Sequence, residues 1–232
     1  IDTRSLTTQD TFFALQGPRF DGHDFLNVAL QRGAGTLVVQ HDRSDASIEC
    51  AVDYFVNVIS VHDTEAALQK AGEWYRSQFN GLVVGITGSS GKTTTKEMLR
   101  TALSAHGQVV ATRGNLNNHL GVPLSLAQLR SEPDFAVFEM GMNAPGEIRT
   151  LSKWVRADVA VITSIGQAHL EGVGSLEGVA HAKGELFETL APQSIAICPS
   201  SAEQLAHLKA VGGSKLRTVG VLEHDTCRII NQ

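Results

Sequence analysis

Residues 83–98 read VVGITGSSGKTTTKEM, an apolar run, a turn of glycine and serine, and a polar stretch opening on Gly91-Lys92-Thr93. That order predicts a strand, a tight turn and a helix start, the framework of a phosphate-binding loop. The spacing departs from the usual form. A glycine ordinarily stands five residues before the glycine of Gly-Lys-Thr, and Ile86 holds that position here. The glycines fall instead at Gly85, Gly88 and Gly91.

The chemistry of such a loop is local. Backbone N–H groups of Gly88, Ser89, Ser90 and Gly91 and the helix N-terminus converge on one point, which favours an anion. Glycine lets the backbone approach closely. The Lys92 ammonium reaches β and γ phosphates, and the hydroxyl of Thr93, beside Thr94, suits Mg²⁺. A plain glycine turn with a surface lysine is the rival reading, but strand, glycines, lysine, threonine and helix all occur in the required order.

Downstream the rhythm is regular. Apolar runs at 82–87, 108–112, 135–140, 158–163 and 194–199 alternate with helical patterns. Short apolar strands alternating with helices predict an α/β fold with a parallel sheet covered on both faces. Residues 1–79 form a smaller α/β unit, with strands at 11–16, 36–40 and 54–59, a helix over 25–32 capped by Asp24, and a second helix capped by Asp63. Asn80-Gly81 is a turn signal that marks the expected boundary between domains 1–79 and 80–232.

Composition narrows the class. The 232 residues are 42% hydrophobic and 19% charged, with a net charge of −5, which suits a globular core and carries no electrostatic footprint for nucleic acid. No apolar run is long enough to span a membrane. Cys50, Cys198 and Cys227 form no paired motif, so a reducing cytoplasm is the expected setting. No guanine-reading Asn-Lys-x-Asp occurs, which favours ATP over GTP.

Ligands of parallel sheets bind beyond the carboxyl ends of the strands. The loops there are GSSGKTTT, RGNLNN, EMGMNAPGE and SIGQAHLEG. Glu139 ends a strand, where a carboxylate is a good hard-cation ligand, although by spacing alone it is equally a solvated glutamate. His169 ends another loop, and a lone histidine is more often structural. Lys183 lies in a helical stretch and by composition alone is a surface lysine.

The chain resembles the Mur ligases. The matching stretches are DTRSLTTQDTFFALQGPRFDGHDF, GITGSSGKTTTKEM, GNLNNHLGVPLSL, FEMGMNAPGEI and AHLEGVGSLEGVAHAKGELF. Glycines at three-residue spacing are typical of this ligase superfamily. The asparagine loop, the PGEI loop and RFDGHDF favour the member that adds D-alanyl-D-alanine. The resemblance implies an ATP-dependent ligase of peptidoglycan precursor synthesis in the bacterial cytoplasm, taking UDP-MurNAc-tripeptide and D-alanyl-D-alanine through an acyl phosphate, and a monomer. It implies one Mg²⁺ on Thr93 and Glu139, a second held by His169, and a carbamoylated Lys183 that helps place it, with Lys92, Lys183 and His169 as the catalytic residues. Asn117 and Asn118 match the family's loop near phosphates and substrate. Thr3, Arg4, Asp21, Gly22 and His23 match the UDP-sugar region, with Thr3 standing where a serine is common.

The family also carries a third, Rossmann-like domain of about 150 residues that helps bind nucleotide and amino substrate, and the resemblance implies that this chain ends inside the central domain, binding the UDP ligand without ligating. The alternatives are another Mur-type or folate polyglutamate ligase, and a nucleotide-binding module without catalysis.

Overall fold

The computed structural model describes residues 1–129, 133–167 and 170–228. It forms two compact units, Ile1–Lys70 and Ala71–Gln232.

In the first unit the strands are β1 (Thr11–Phe13), β2 (Gln16–Gly17), β3 (Phe20–Asp21), β4 (Thr36–Gln40) and β5 (Asn57–Val61), with helices α1 (Leu26–Gln31) and α2 (Ser44–Ala51) and the start of α3 (Thr64–Gln78). β1, β4 and β5 make a parallel sheet with β4 in the middle, and β2 pairs antiparallel with β3. Phe12, Ala14, Leu26, Leu30, Leu37 and Val39 form its core. Asp63 caps α3 as expected, accepting from the Ala66 N–H at 2.9 Å.

Three details differ from the sequence reading. The strand expected over 11–16 breaks after Phe13, because Leu15 N–H turns back onto the Phe13 carbonyl at 3.0 Å. The helix expected over 25–32 is preceded by a 3₁₀ turn, Gly22–Phe25, and Asp21 rather than Asp24 caps that turn, accepting from the His23 N–H at 2.9 Å. Finally, the strand expected from residue 54 begins at Asn57, because Val52–Tyr54 is a 3₁₀ turn closed by Phe55 at a left-handed φ of 53°.

The second unit runs β6 (Leu82–Thr87), α4 (Lys92–Leu103), β7 (Val109–Ala111), α5 (Gly121–Leu126), β8 (Phe135–Glu139), α6 (Glu147–Val155), β9 (Val159–Ile162), α7 (Leu170–Val173), α8 (Leu176–Glu188), β10 (Ile195–Pro199), α9 (Leu205–Gly212), β11 (Leu216–Gly220) and β12 (Cys227–Arg228). Its sheet is parallel throughout, in the order β12-β11-β10-β9-β6-β8-β7. The chain leaves β6 in one direction, returns, and continues on the other side. β6 is therefore the switch point at which such sheets hold ligands.

β6 alternates between two cores. Val84 and Ile86 pack with Val137 and with Leu99 and Leu103 of α4 on one face. Val83 joins Phe138, Met140, Ile148, Leu151, Val179 and Leu186 on the other, beneath α6 and α8. Ile86 is fully buried. A glycine there would empty the core beneath α4, which accounts for the departure from the usual spacing. Arg76, near the end of α3, donates to the carbonyls of Phe79, Val155 and Arg156 and so closes the C-terminus of α6. Among the described residues no helix is long and apolar enough to cross a membrane.

Candidate active site

At the carboxyl end of β6 the chain turns through Gly88 at φ 153° and Gly91 at φ 81°, and α4 begins at Lys92. Both conformations suit glycine, and a Cβ at Gly88 would collide with the Thr163 hydroxyl. The loop after β9 backs this turn. Thr163 donates its hydroxyl to the Ser90 carbonyl at 2.6 Å, and Ser164 Oγ accepts from the Ser90 N–H at 2.9 Å. Ser89 Oγ exchanges hydrogen bonds with the Gly166 backbone at 3.0 Å. The turn is thus held from behind. α4 has no side-chain cap at Gly91, so the orphan N–H groups of its first turn add to the site's pull on an anion. Lys92 folds over the loop, its Nζ donating to the Gly88 carbonyl at 2.7 Å.

Glu139 ends β8, next to β6, and is 2% exposed. Its Oε2 accepts from Thr93 Oγ1 at 3.0 Å and its Oε1 from Asn117 Nδ2 at 2.9 Å. Its N–H donates to Thr112 Oγ1 at 3.0 Å. The structure therefore brings Thr93, Asn117 and Glu139 together. Asn118 caps α5 instead, accepting from the N–H groups of Leu120 at 3.2 Å and Gly121 at 2.9 Å. Thr94 is exposed on the first turn of α4.

A hydroxyl and a carboxylate are hard oxygen donors that fit Mg²⁺, which commonly takes one or two carboxylates and completes its shell with substrate phosphates and water. Among the described residues no cluster of three or more His, Cys, Asp or Glu could hold a metal by itself.

Lys183 lies on α8 and is 1% exposed, so it is no surface lysine. Among the described residues it has no hydrogen-bonded or ionic partner. Burial, with the Lys92 charge adding to it, lowers its pKa from 10.5 to about 8. Two residues on, Glu185 reaches across to α6 and accepts from the N–H groups of Gly146 at 2.8 Å and Arg149 at 2.9 Å. It supplies the cap that α6 lacks, since Gly146 provides none. His169 lies outside the described residues.

In the first unit, Thr3 and Arg4 sit in a 3₁₀ turn, where the Arg4 guanidinium forks onto Asp2 at 2.8 and 3.0 Å and remains exposed. The Asp2 carboxyl is held down to about 2 by those bonds. Asp21 Oδ1 meets His23 Nδ1 at 2.6 Å, and His23 Nε2 accepts from the Gln40 N–H at 3.0 Å. An acceptor at Nε2 places the proton on Nδ1, facing the carboxylate. Both nitrogens of His23 are thus used inside the unit. Gly22 is buried, and a Cβ there would lie 2.6 Å from the Leu15 backbone nitrogen.

Sequence reasoning missed Thr163, Ser164, Glu185 and Lys96. Thr163 closes the apolar run 158–163 and Ser164 opens the SIGQAHLEG loop, and neither carries a local sign that it braces the glycine turn. Lys96 shares a helix face with Thr93 by its i, i+3 spacing, a signal available in the sequence.

A family profile described as "Mur ligase family, catalytic domain" matches residues 1–76, and one described as "Mur ligase middle domain" matches residues 86–230. The chain is 42% identical over 214 residues to the UDP-N-acetylmuramoyl-tripeptide–D-alanyl-D-alanine ligase of Escherichia coli K12, covering 92% of this chain and 45% of that protein. The ligase of the same name from Bacillus subtilis is 40% identical over 196 residues, covering 84% and 42%. Among solved structures, MurF from Acinetobacter baumannii matches with a TM-score of 0.81 at 38% identity over 94% of this chain and 47% of that one. MurF from Thermotoga maritima in complex with ADP matches at 0.75 and 32%, over 95% and 49%. The chain spans about half the length of the curated relatives it matches. A profile covering more than half the residues, agreeing with relatives and structures on the same stretch, fixes the assignment: the chain belongs to the Mur ligase family.

Proposed function

We propose that the protein is an ATP-dependent ligase that joins D-alanyl-D-alanine to UDP-MurNAc-tripeptide. The observation that carries this is the convergence at the β6 switch point of the glycine turn, Lys92, Thr93, Asn117 and Glu139, in a chain about 40% identical to ligases of that name.

The reaction has two steps. The tripeptide's terminal carboxylate attacks the γ-phosphorus of ATP; an oxygen–phosphorus bond forms, the bond to ADP breaks, and an acyl phosphate results. The amine of D-alanyl-D-alanine then attacks the acyl carbon, the carbon–nitrogen bond forms, phosphate departs, and the amine loses a proton. Both steps bring anions together, so fixed positive charge and alignment carry the catalysis.

The backbone of the glycine turn cradles the phosphates. Lys92 exchanges its bond to the Gly88 carbonyl for phosphate oxygens, one acceptor for another. Thr93 and Glu139 would hold Mg²⁺, which would supply positive charge between nucleotide and substrate. Asn117 orients the Glu139 carboxylate. Lys183, with its amine half-neutral near pH 8, attacks CO₂: nitrogen bonds to carbon, a proton leaves to solvent, and the cation becomes an anion that, with His169, would serve as ligand to a second metal. Thr3, Arg4, Asp21, Gly22 and His23 are assigned to the UDP-sugar; the internal bonds of His23 make its part that of shaping the loop.

The test is phosphate release from ATP, followed with each substrate omitted in turn. In the full-length protein, release that needs both UDP-MurNAc-tripeptide and D-alanyl-D-alanine is expected. Release with a single amino acid in place of the dipeptide would move the protein to a sibling ligase. ATP turnover indifferent to both substrates would end the ligase reading.

A further inference from the structure

We infer that Lys96 is a built-in counter-charge for Glu139, balancing the buried carboxylate while no divalent cation is bound and competing with that cation when it arrives. The inference rests on the reading that Thr93 and Glu139 receive Mg²⁺.

Lys96 is 1% exposed, rare for a lysine, and faces the site from the second turn of α4. Its Nζ lies 3.8 Å from Glu139 Oε2 and 3.5 Å from Glu97 Oε1, and donates to the Gly114 carbonyl at 3.2 Å. Glu97 is half exposed, so water screens it, whereas Glu139 is enclosed. Among the described residues Lys96 makes the one ion pair recorded for Glu139. Lys92 is turned away onto Gly88, and Thr93 and Asn117 are neutral donors that satisfy lone pairs without cancelling charge.

A buried carboxylate with no compensating charge is strongly unfavourable, and so is a buried ammonium. Each makes the other tolerable. The bond to Gly114 adds a second consequence: the ammonium ties the asparagine loop to α4, so Asn117 is already in place before nucleotide binds. A divalent ion joining the same oxygen would meet an ammonium that already lies 3.8 Å from that oxygen, and like charges held this near one another repel appreciably even near a protein surface. Lys96 thus lowers the need for metal and lowers the affinity for it.

Thermal unfolding of the wild type, Lys96→Met and Lys96→Arg tests this, each in EDTA and across a Mg²⁺ series at fixed ADP. In EDTA, Lys96→Met is expected to unfold well below the wild type, and the deficit should shrink as Mg²⁺ rises. Its half-saturating Mg²⁺ should fall by roughly tenfold, the size of one relieved like-charge contact. Lys96→Arg keeps the charge and should follow the wild type. A deficit equal at every Mg²⁺ concentration would reduce Lys96 to packing and overturn the inference alone. A wild type whose unfolding ignores Mg²⁺ and ADP would overturn the metal reading and this inference with it. If Lys96→Met does not fold, the double variant Lys96→Met/Glu139→Gln buries no charge and is expected to fold; its failure would also refute the counter-charge role.

Discussion

Two lysines of the site differ in what surrounds them. Lys92 stays half-buried with a carbonyl partner, ready to exchange that carbonyl for a phosphate. In the full-length protein Lys92→Ala is expected to lower turnover by about 10²–10³, the usual cost of losing one transition-state charge contact, with an unchanged unfolding curve; near-normal turnover would remove Lys92 from the phosphate site. Lys183 is buried with no partner among the described residues, and its pKa falls to about 8. The sign follows directly. Below pH 8 folded and unfolded chains both carry the proton and the burial penalty stands in full. Between 8 and 10.5 the unfolded chain alone holds it, so stability climbs with pH. In CO₂-free buffer Lys183→Met should therefore be more stable than wild type by about 3 kcal/mol at pH 7, with the gain gone above pH 10. Urea unfolding at the two pH values measures it, and a gain independent of pH would rule out the buried charge as its source. The same neutral amine is what the proposed carbamate requires. Lys183→Ala should be inactive and partly rescued by small carboxylates, while Lys183→Arg, which keeps a cation where an anion is wanted, should not be rescued.

Among the elements, α8 holds the most. Ser175 caps it, accepting from the Gly178 N–H at 3.1 Å, and Glu185 extends from it to cap α6. The loop that follows Glu139 is thereby fastened to the helix that carries Lys183. Glu185→Ala should destabilise the fold by about 1–3 kcal/mol, the cost of buried donors left unpaired, and Glu185→Gln, which keeps acceptor oxygen, by less. Equal losses for both would show that the charge toward Arg149 matters more than the cap. The strands of the second unit were legible because β6, β8, β9 and β10 are continuous apolar runs, as sheets buried on both faces require. α2 was not foreseen, since SDASIECA offers no clear apolar stripe, nor were β11 and β12, whose segments mix polar and apolar residues. The strand, glycine turn and helix start could be read from order, and Glu139 could be placed at the end of its strand, where spacing alone left it equally a solvated glutamate. Glu185 and Thr163 could not, because a cap and a buttress supplied from distant residues leave no local pattern. Lys96 was visible but indistinguishable from a solvated lysine until its burial was known.

On the scale of the whole chain, each unit has a core of its own, and the second is built around a strand that cannot be finished early. β6 lies between β8 and β9, and both come after it. Leu82 registers with Phe135 and Val84 with Val159, and the turn behind Gly88 waits for Thr163 and Ser164. Parallel pairing over such separations is slow, because the chain must be closed into a long loop before contacts compensate. Pulse-labelled hydrogen exchange during refolding is expected to protect the β6 amides no sooner than those of β8 and β9; earlier protection would mean that β6 has another partner on the way. The glycine turn is thus synthesised well ahead of the residues that shape it, and a nascent chain carries the composition of this loop long before it carries its form.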